Sequence, residues 1–131
     1  MEDLLRSIDI LAADQRLGWQ RHGRRVRVSL SRHGRSQDVR VARRRNHYVF
    51  TSVVANASAV KENRRSLAFR LWRRNALLPV VTFTIDRHDR VIGLIDLPVE
   101  SAHPKEIKFY LETLARESDR LEYILTGADT R

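Results

Sequence analysis

The chain has 131 residues, of which 42% are hydrophobic and none is cysteine, and its formal net charge is +9. This length and apolar content suit one domain over residues 1–131, and the lack of cysteine excludes a disulfide framework and a cysteine zinc site. Acids occupy N-terminal positions where a secretory signal has basic residues, and no run of about 18 apolar residues occurs, so we expect a cytoplasmic protein without a membrane span.

An amphipathic helix is predicted at the N-terminus. Apolar residues recur at intervals of three and four from Leu4 to Ala12, which is the spacing of one helix face. We expect this face to be buried against the rest of the domain.

Three antiparallel strands are predicted within residues 24–56. Val26, Val28 and Leu30 alternate with polar residues, and the same period of two recurs in QDVRVA and in HYVFTSVV. Gly34 can adopt a positive φ in the first turn, and RRRN separates the second strand from the third. These strands are expected to form a meander with one apolar face and one arginine-rich face.

Positive charge is concentrated in this first half of the chain. Residues 16–45 contain eleven arginines and one acid, whereas residues 80–131 contain seven basic and ten acidic residues. Such a surface attracts polyanions, including nucleic acid. The alternative is a solvated sheet face in a chain whose preference for arginine over lysine reflects genomic base composition. The candidate polyanion-binding residues are Arg25, Arg27, Arg40, Arg43, Arg44 and Arg45.

A second helix is predicted from about Ser58 or Asn63 to Ala76. Its apolar residues fill roughly 200° of the circumference, whereas packing on one sheet needs a stripe of about 100°. The additional apolar edge consists of Phe69, Trp72 and Ala76. Either this edge is a dimer or client surface, or another helix of the same chain covers it.

The residues that most suggest chemistry, Asp86, His88 and Asp89, follow this helix. Asn75 tolerates the αL conformation near a helix end, and Pro79 cannot continue a helix. Two apolar runs, VVTFTID and RVIGLIDLP, then flank the connector, and a short Asp-rich connector is typical of a hairpin turn. The other histidines lack metal-ligand spacing, so we predict a turn and no metal, cofactor or catalytic residue.

A long C-terminal helix is predicted from Pro104. Pro104 suits the first helical turn, Glu106 complements the helix dipole, and Gly127 is placed to act as a C-cap. Charged residues of both signs occupy the polar face, which predicts a solvated outer surface. The apolar stripe consists of Ile107, Leu111, Leu114, Leu121 and Leu125.

The predicted order is helix, three strands, helix, two strands, helix, which is an α+β domain with a curved antiparallel sheet flanked by helices. This order, and residues 71–122 in particular, resemble the YbjN family and the related type III secretion chaperone fold. The shared features are an asparagine near the end of the middle helix, a proline four residues later, an acidic turn, a strand ending in proline and a final helix opened by proline and an acid. They correspond to Asn75, Pro79, Asp86 to Asp89, Pro98, Pro104 and Glu106.

The resemblance implies a non-enzymatic chaperone-like or regulatory module, expected to be a homodimer that binds a peptide segment of a client protein. Secretion chaperones are typically acidic, whereas this chain has a pI of about 11.1, so an acidic client suits it better. The alternative is an accessory nucleic-acid-binding protein that uses the arginine-rich face. No P-loop, nucleophile elbow or dinucleotide fingerprint occurs, so we expect no enzyme.

Overall fold

The computed structural model describes residues 1–30, 34–62, 64–77 and 80–126. The predicted order of helices and strands is confirmed, with a short additional strand near the N-terminus, and the middle helical region is described over Ala57–Glu62 and Arg64–Leu77. A 3-10 turn, Val99–Ser101, precedes the last helix. The elements are α1 (Glu2–Ala12), β1 (Gln20–His22), β2 (Arg25–Ser29), β3 (Ser36–Arg44), β4 (His47–Ala55), α2 (Ala57–Glu62), α3 (Arg64–Leu77), β5 (Thr82–Ile85), β6 (Val91–Pro98) and α4 (Pro104–Thr126).

The six strands form one antiparallel sheet in the order β1-β2-β3-β4-β6-β5. Two-residue loops join β1 to β2 and β3 to β4. Gly34, between β2 and β3, has the positive φ expected of it, 65°. Arg45 has a φ of 55° in the two-residue loop between β3 and β4, a conformation that is unfavourable for a side chain other than glycine or asparagine. Each strand therefore pairs with the next by a short connection, except where α2 and α3 separate β4 from β5.

The long helix α4 packs across the central strands of the sheet and encloses the core with them. The period-two pattern of the strands directs Val26, Val28, Val39 and Phe50 toward it, and all four are buried. The predicted apolar stripe of α4, from Ile107 to Leu125, is also buried. Pro104 is the first residue of α4 and Glu106 lies in its first turn, as predicted, while Gly127 lies outside the described residues.

The sheet and α4 approach each other closely at Gly93 in β6. A methyl group at this position would lie 2.9 Å from Ser118 Oγ and 3.0 Å from carbon atoms of Leu114 and Phe83. These distances are shorter than ordinary van der Waals contacts, so the position requires glycine for space rather than for an unusual φ.

Helix α1 packs on α4 and on β1. Leu4 and Ile8 are buried, as the helical spacing predicts. On its other side, Arg21 Nη2 of β1 donates a hydrogen bond to Asp9 Oδ2 at 2.9 Å, and this bond lowers the pKa of Asp9.

No helix among the described residues has both the length and the hydropathy that are needed to cross a bilayer.

Candidate interaction surfaces

The first candidate surface, the α3 surface, consists of the exposed residues Phe69, Trp72 and Ala76. The side chains of Phe69 and Trp72 are 61% and 67% exposed, and their ring centroids lie 6.2 Å apart. Leu67 and Leu71 on the same helix are buried in the core. Helix α3 is thus apolar on two sides, and the core covers only one of them; the interpretation that α1 or α4 covers the other side is wrong.

Two neighbouring exposed aromatic rings have a substantial hydrophobic free energy available for binding. Each ring buries about 150–250 Å² when fully covered. At two-thirds exposure the pair offers on the order of 250 Å² of apolar area, which corresponds to about 6 kcal/mol of transfer free energy. Tryptophan is also among the residues most enriched at the centres of protein interfaces, so this surface is suited to contact another protein.

The second candidate surface is the open face, which is the side of the sheet opposite α4. Side chains that alternate with the buried ones point to it, so Arg25, Arg27 and Arg40 are exposed there and Val53 is 39% exposed. A groove of about 460 Å³ crosses this face. Residues of the groove include Arg25, Arg27, Asp38, Arg40, Thr51, Val53, Asp86, Arg90, Ile92 and Glu122.

The six predicted polyanion-binding arginines do not all lie on the open face. Arg25, Arg27 and Arg40 line the groove, and Arg44 shares their side of the sheet by the alternation of β3. Arg43 is directed to the opposite side, where its guanidinium carbon lies 6.0 Å from the ring centroid of Tyr48. Arg45 occupies the loop at the end of β3 and accepts a hydrogen bond from Arg43 Nε at its carbonyl oxygen. The structure therefore brings together three of the six in one groove.

The segment Asp86 to Asp89 forms a hairpin turn, as predicted. Asp86 Oδ1 accepts hydrogen bonds from the backbone N–H groups of His88 and Arg90, both at 2.9 Å, and Asp86 Oδ2 accepts one from Arg90 Nε at 2.9 Å. Burial raises the pKa of Asp86, but these hydrogen bonds outweigh it and hold the pKa below its ordinary value. Asp89 has a φ of 59°, a turn conformation that aspartate tolerates.

The carboxylate of Asp86 is thus occupied by the turn itself, and His88 and Asp89 are exposed. Within residues 1–30, 34–62, 64–77 and 80–126, no group of three or more histidine, aspartate or glutamate side chains is arranged to hold a metal ion. The arrangement at this turn stabilises a hairpin.

Asn75 has a different role from the one that its sequence position suggests. It lies inside α3 without a positive φ, so it is not an αL cap. Its side-chain amide pairs with β5: Phe83 N–H donates to Asn75 Oδ1 at 2.7 Å, and Asn75 Nδ2 donates to the Phe83 carbonyl oxygen at 3.0 Å. The Asn75 side chain thus pairs with the backbone N–H and carbonyl groups on the outer side of the edge strand β5, in the way that a further strand would. Pro79, its predicted companion in the helix-to-strand switch, lies outside the described residues.

A buried polar network between the sheet and α4 was not predicted. Gln37 Nε2 of β3 donates to Glu122 Oε1 at 2.9 Å, and Ser52 Oγ lies 3.3 Å from Gln37 Oε1. All three residues are buried. Glu117 of α4 is also buried, so the predicted solvated outer surface of α4 is present over only part of its polar face. The one sequence feature that pointed to this network was a glutamine in an otherwise valine-rich buried register.

Comparisons with known proteins place the fold. No protein-family model matches the chain, and no curated protein matches it in sequence. Solved structures do match. SycH, a type III secretion chaperone of Yersinia pestis crystallised with a fragment of YscM2, is 14% identical with a TM-score of 0.59, over 90% of this chain and 98% of its own. YbjN of E. coli is 15% identical with a TM-score of 0.57, over 95% and 90%.

A chain of the ExsC–ExsE complex is also similar, at 14% identity and a TM-score of 0.61, over 98% of this chain and 97% of its own. At these identities the likeness concerns the fold. The chain has the YbjN and type III secretion chaperone-like fold that the resemblance implied, with the expected α+β architecture.

Proposed function

We propose that this chain is a non-enzymatic, chaperone-like module that binds a segment of a client protein and acts as a homodimer through the α3 surface. The fold supports the first part, because SycH was crystallised with a fragment of YscM2 and ExsC with ExsE. A domain of this kind offers helix faces and sheet surfaces to an extended segment of its partner. The Asp86 carboxylate, which the sequence offered as the strongest candidate for chemistry, is engaged in its own turn, and this supports the non-enzymatic part of the proposal.

The exposure of Phe69 and Trp72 is the observation that supports dimerisation. A second copy of α3 brought against the first would cover four aromatic rings in a two-fold interface, in which each residue contacts its own equivalent or a neighbour of it. Since aromatic contacts dominate the energetics of such interfaces, removal of Trp72 should weaken the dimer more than removal of any exposed apolar residue elsewhere.

Light scattering coupled to gel filtration tests this proposal. The wild-type chain should have twice the monomer mass of 15.3 kDa, and Trp72→Ala should have the monomer mass. Phe109→Ala is the matched control, because Phe109 is a similarly exposed aromatic residue on α4, 53% exposed, and should leave the mass unchanged. A monomeric wild type, or a Trp72→Ala variant that retains the doubled mass, contradicts dimerisation through α3.

An accessory nucleic-acid-binding protein is the second candidate function, and the three arginines that share the groove of the open face support it. Replacing them should flatten the dependence of affinity on salt by about one unit of slope per lost phosphate contact. Lack of any binding to single- or double-stranded oligonucleotides at about 50 mM salt rules this function out, because non-specific affinity is strongest at low salt.

A further inference from the structure

Two arginines of like charge face each other on the open face. Arg25 of β2 and Arg40 of β3 are direct cross-strand partners in the register of the sheet, so their side chains project from adjacent points of the same face. Like charges directly opposite each other on paired strands destabilise the sheet. Within the described part of the chain, neither arginine forms an ion pair with a carboxylate.

The carboxylates that share the groove are already engaged elsewhere. Asp86 binds Arg90 at 2.8 Å, and Glu122 accepts from Gln37 at 2.9 Å. Asp38 lies 3.4 Å from Arg27. Among the described residues, Arg25 and Arg40 are thus left without a directly paired carboxylate, and a carboxylate brought between their guanidinium groups would receive charge-assisted hydrogen bonds from both.

The other half of the same groove is apolar. Val53 of β4 and Ile92 of β6 are cross-strand partners, and both line the groove. Strands lie about 4.8 Å apart and alternate residues of a strand about 6.8 Å apart, so the centre of the Val53–Ile92 pair lies about 12 Å from the centre of the Arg25–Arg40 pair. Three or four residues of extended peptide span that distance.

We infer that the open face binds an acidic segment of a partner protein, with a carboxylate between Arg25 and Arg40 and an apolar side chain, three or four residues away, on Val53 and Ile92. This inference rests on the proposed protein-binding function and specifies the chemistry of the segment. The groove favours a peptide over nucleic acid for two reasons. A nucleic-acid backbone carries a charge at every nucleotide and would place phosphates beside Asp38 and Asp86 as well, whereas a peptide can confine its carboxylates to the position between Arg25 and Arg40. The aromatic residues of the central strand β4, Tyr48 and Phe50, are buried and cannot stack on bases.

Fluorescence anisotropy with a defined peptide tests the site. The probe is fluorescein-labelled Ser-Glu-Glu-Ser-Ser-Leu-Val-Ser, compared with the same peptide containing Lys-Lys in place of Glu-Glu. The wild-type chain should bind the Glu peptide and not the Lys peptide. The double variant Arg25→Gln/Arg40→Gln should bind the Glu peptide at least about tenfold more weakly, because two charge-assisted hydrogen bonds are lost.

A control variant separates this site from the net charge of the protein. Arg6→Gln/Lys105→Gln removes the same two charges from exposed positions on α1 and α4, outside the groove, and should change affinity less than about twofold. The Arg25→Gln/Arg40→Gln variant should also melt at or above the wild-type temperature, because it relieves the repulsion between the two arginines. A drop of several degrees would mean that the arginines are structural and would overturn the inference.

The remaining outcomes distinguish this inference from the proposed function. If both double variants bind the Glu peptide as the wild type does, the site is wrong and protein binding elsewhere still stands. If the wild type binds neither peptide, but binds labelled oligothymidylate in a manner that depends on Arg25 and Arg40, the groove is a nucleic-acid site and the inference is overturned. If it binds neither peptide nor oligothymidylate, the inference fails, whereas the proposed protein-binding function, which specifies no acidic segment, and the light-scattering test of the α3 dimer are unaffected.

Discussion

Replacement of Asn75 by alanine tests the role of this residue as a cover for the edge of the sheet. Two hydrogen bonds to the backbone of Phe83 would be lost, leaving one N–H and one carbonyl of an edge strand without a protein partner. Each unsatisfied backbone group costs about 1–3 kcal/mol when fully buried. Because the region is only partly buried and water can reach it, the cost for each of the two groups is near the lower end of this range, about 1 kcal/mol. Asn75→Ala should therefore lower the free energy of unfolding by about 2 kcal/mol.

The predicted loss is large enough to measure by thermal unfolding. For a chain of this length, 1 kcal/mol corresponds to a shift of about 4 °C in Tm, so Asn75→Ala should melt about 8 °C below the wild type. Circular dichroism at one fixed protein concentration is the appropriate assay, because self-association raises Tm in a concentration-dependent way. Arg73→Ala, an exposed replacement on the same helix, is the control and should shift Tm by less than about 2 °C.

Asn75→Asp distinguishes hydrogen bonding from packing. Aspartate has nearly the same shape as asparagine, but it has no donor for the Phe83 carbonyl and would place a carboxylate oxygen about 3.0 Å from it. The variant should therefore be at least as unstable as Asn75→Ala at neutral pH. The edge-pairing argument is refuted if Asn75→Asp is as stable as the wild type. It is also refuted if Asn75→Ala has the same Tm as Arg73→Ala.

Two further predictions concern the close contact under β6 and the turn between β5 and β6. Gly93→Ala should lower the free energy of unfolding by about 1–3 kcal/mol in urea titrations, because the new methyl group overlaps neighbours on α4 and β5. Gly23→Ala is the control: this glycine has a φ of 60° and open space around it, so the replacement should lower the free energy of unfolding by only about 1 kcal/mol. Asp86 has a lowered pKa, so its contribution to stability is complete above its ordinary pKa of 3.8 and is lost as the pH falls through the folded value. Asp86→Asn should therefore have a lower Tm than the wild type at about pH 7, and the difference should shrink as the pH falls below 3.8. A difference that is constant with pH contradicts the assigned pKa direction.

The parts of the fold that the sequence predicts correctly are those governed by local spacing. The stripe of α4 repeats at three and four residues, and Pro104 with Glu106 marks its start, so its position follows from the chain itself. The strands β2, β3 and β4 alternate in burial over most of their length, which period two predicts. Strand β1 has only three residues, QRH, which are too few and too polar to show a pattern.

The features that were not predicted depend on residues far apart in the chain. Gln37 and Glu122 are separated by 85 positions, and nothing near either residue indicates that they bond. The same limitation applies to Arg43 and Arg40, which belong to one arginine-rich run but lie on opposite sides of the sheet. The pairing of Arg25 with Arg40 also depends on the register between β2 and β3, which the sequence pattern leaves open to a shift of two residues.

The two proposed surfaces lie on different parts of the domain, and this separation has a consequence for affinity. The α3 surface belongs to the helix that packs on β5, at one edge of the sheet, whereas Arg25 and Arg40 lie on β2 and β3 toward the other edge. A dimer formed through α3 would therefore retain two open faces. A client with two acidic segments could occupy both, and the second contact would form at an effective concentration set by the intervening linker.

Joined peptides provide the measurement. Two copies of the Glu-containing peptide connected by flexible Gly-Ser linkers of increasing length should bind the wild-type dimer about 100-fold or more tightly than a single copy, once the linker spans both sites. Trp72→Ala should bind the single copy with unchanged affinity, because Trp72 lies outside the groove, and should bind the joined peptide only about twofold better, which is the statistical gain of two copies. If the large gain persists in a monomeric Trp72→Ala variant, both peptide segments bind one chain, and the arrangement of one site per protomer is wrong.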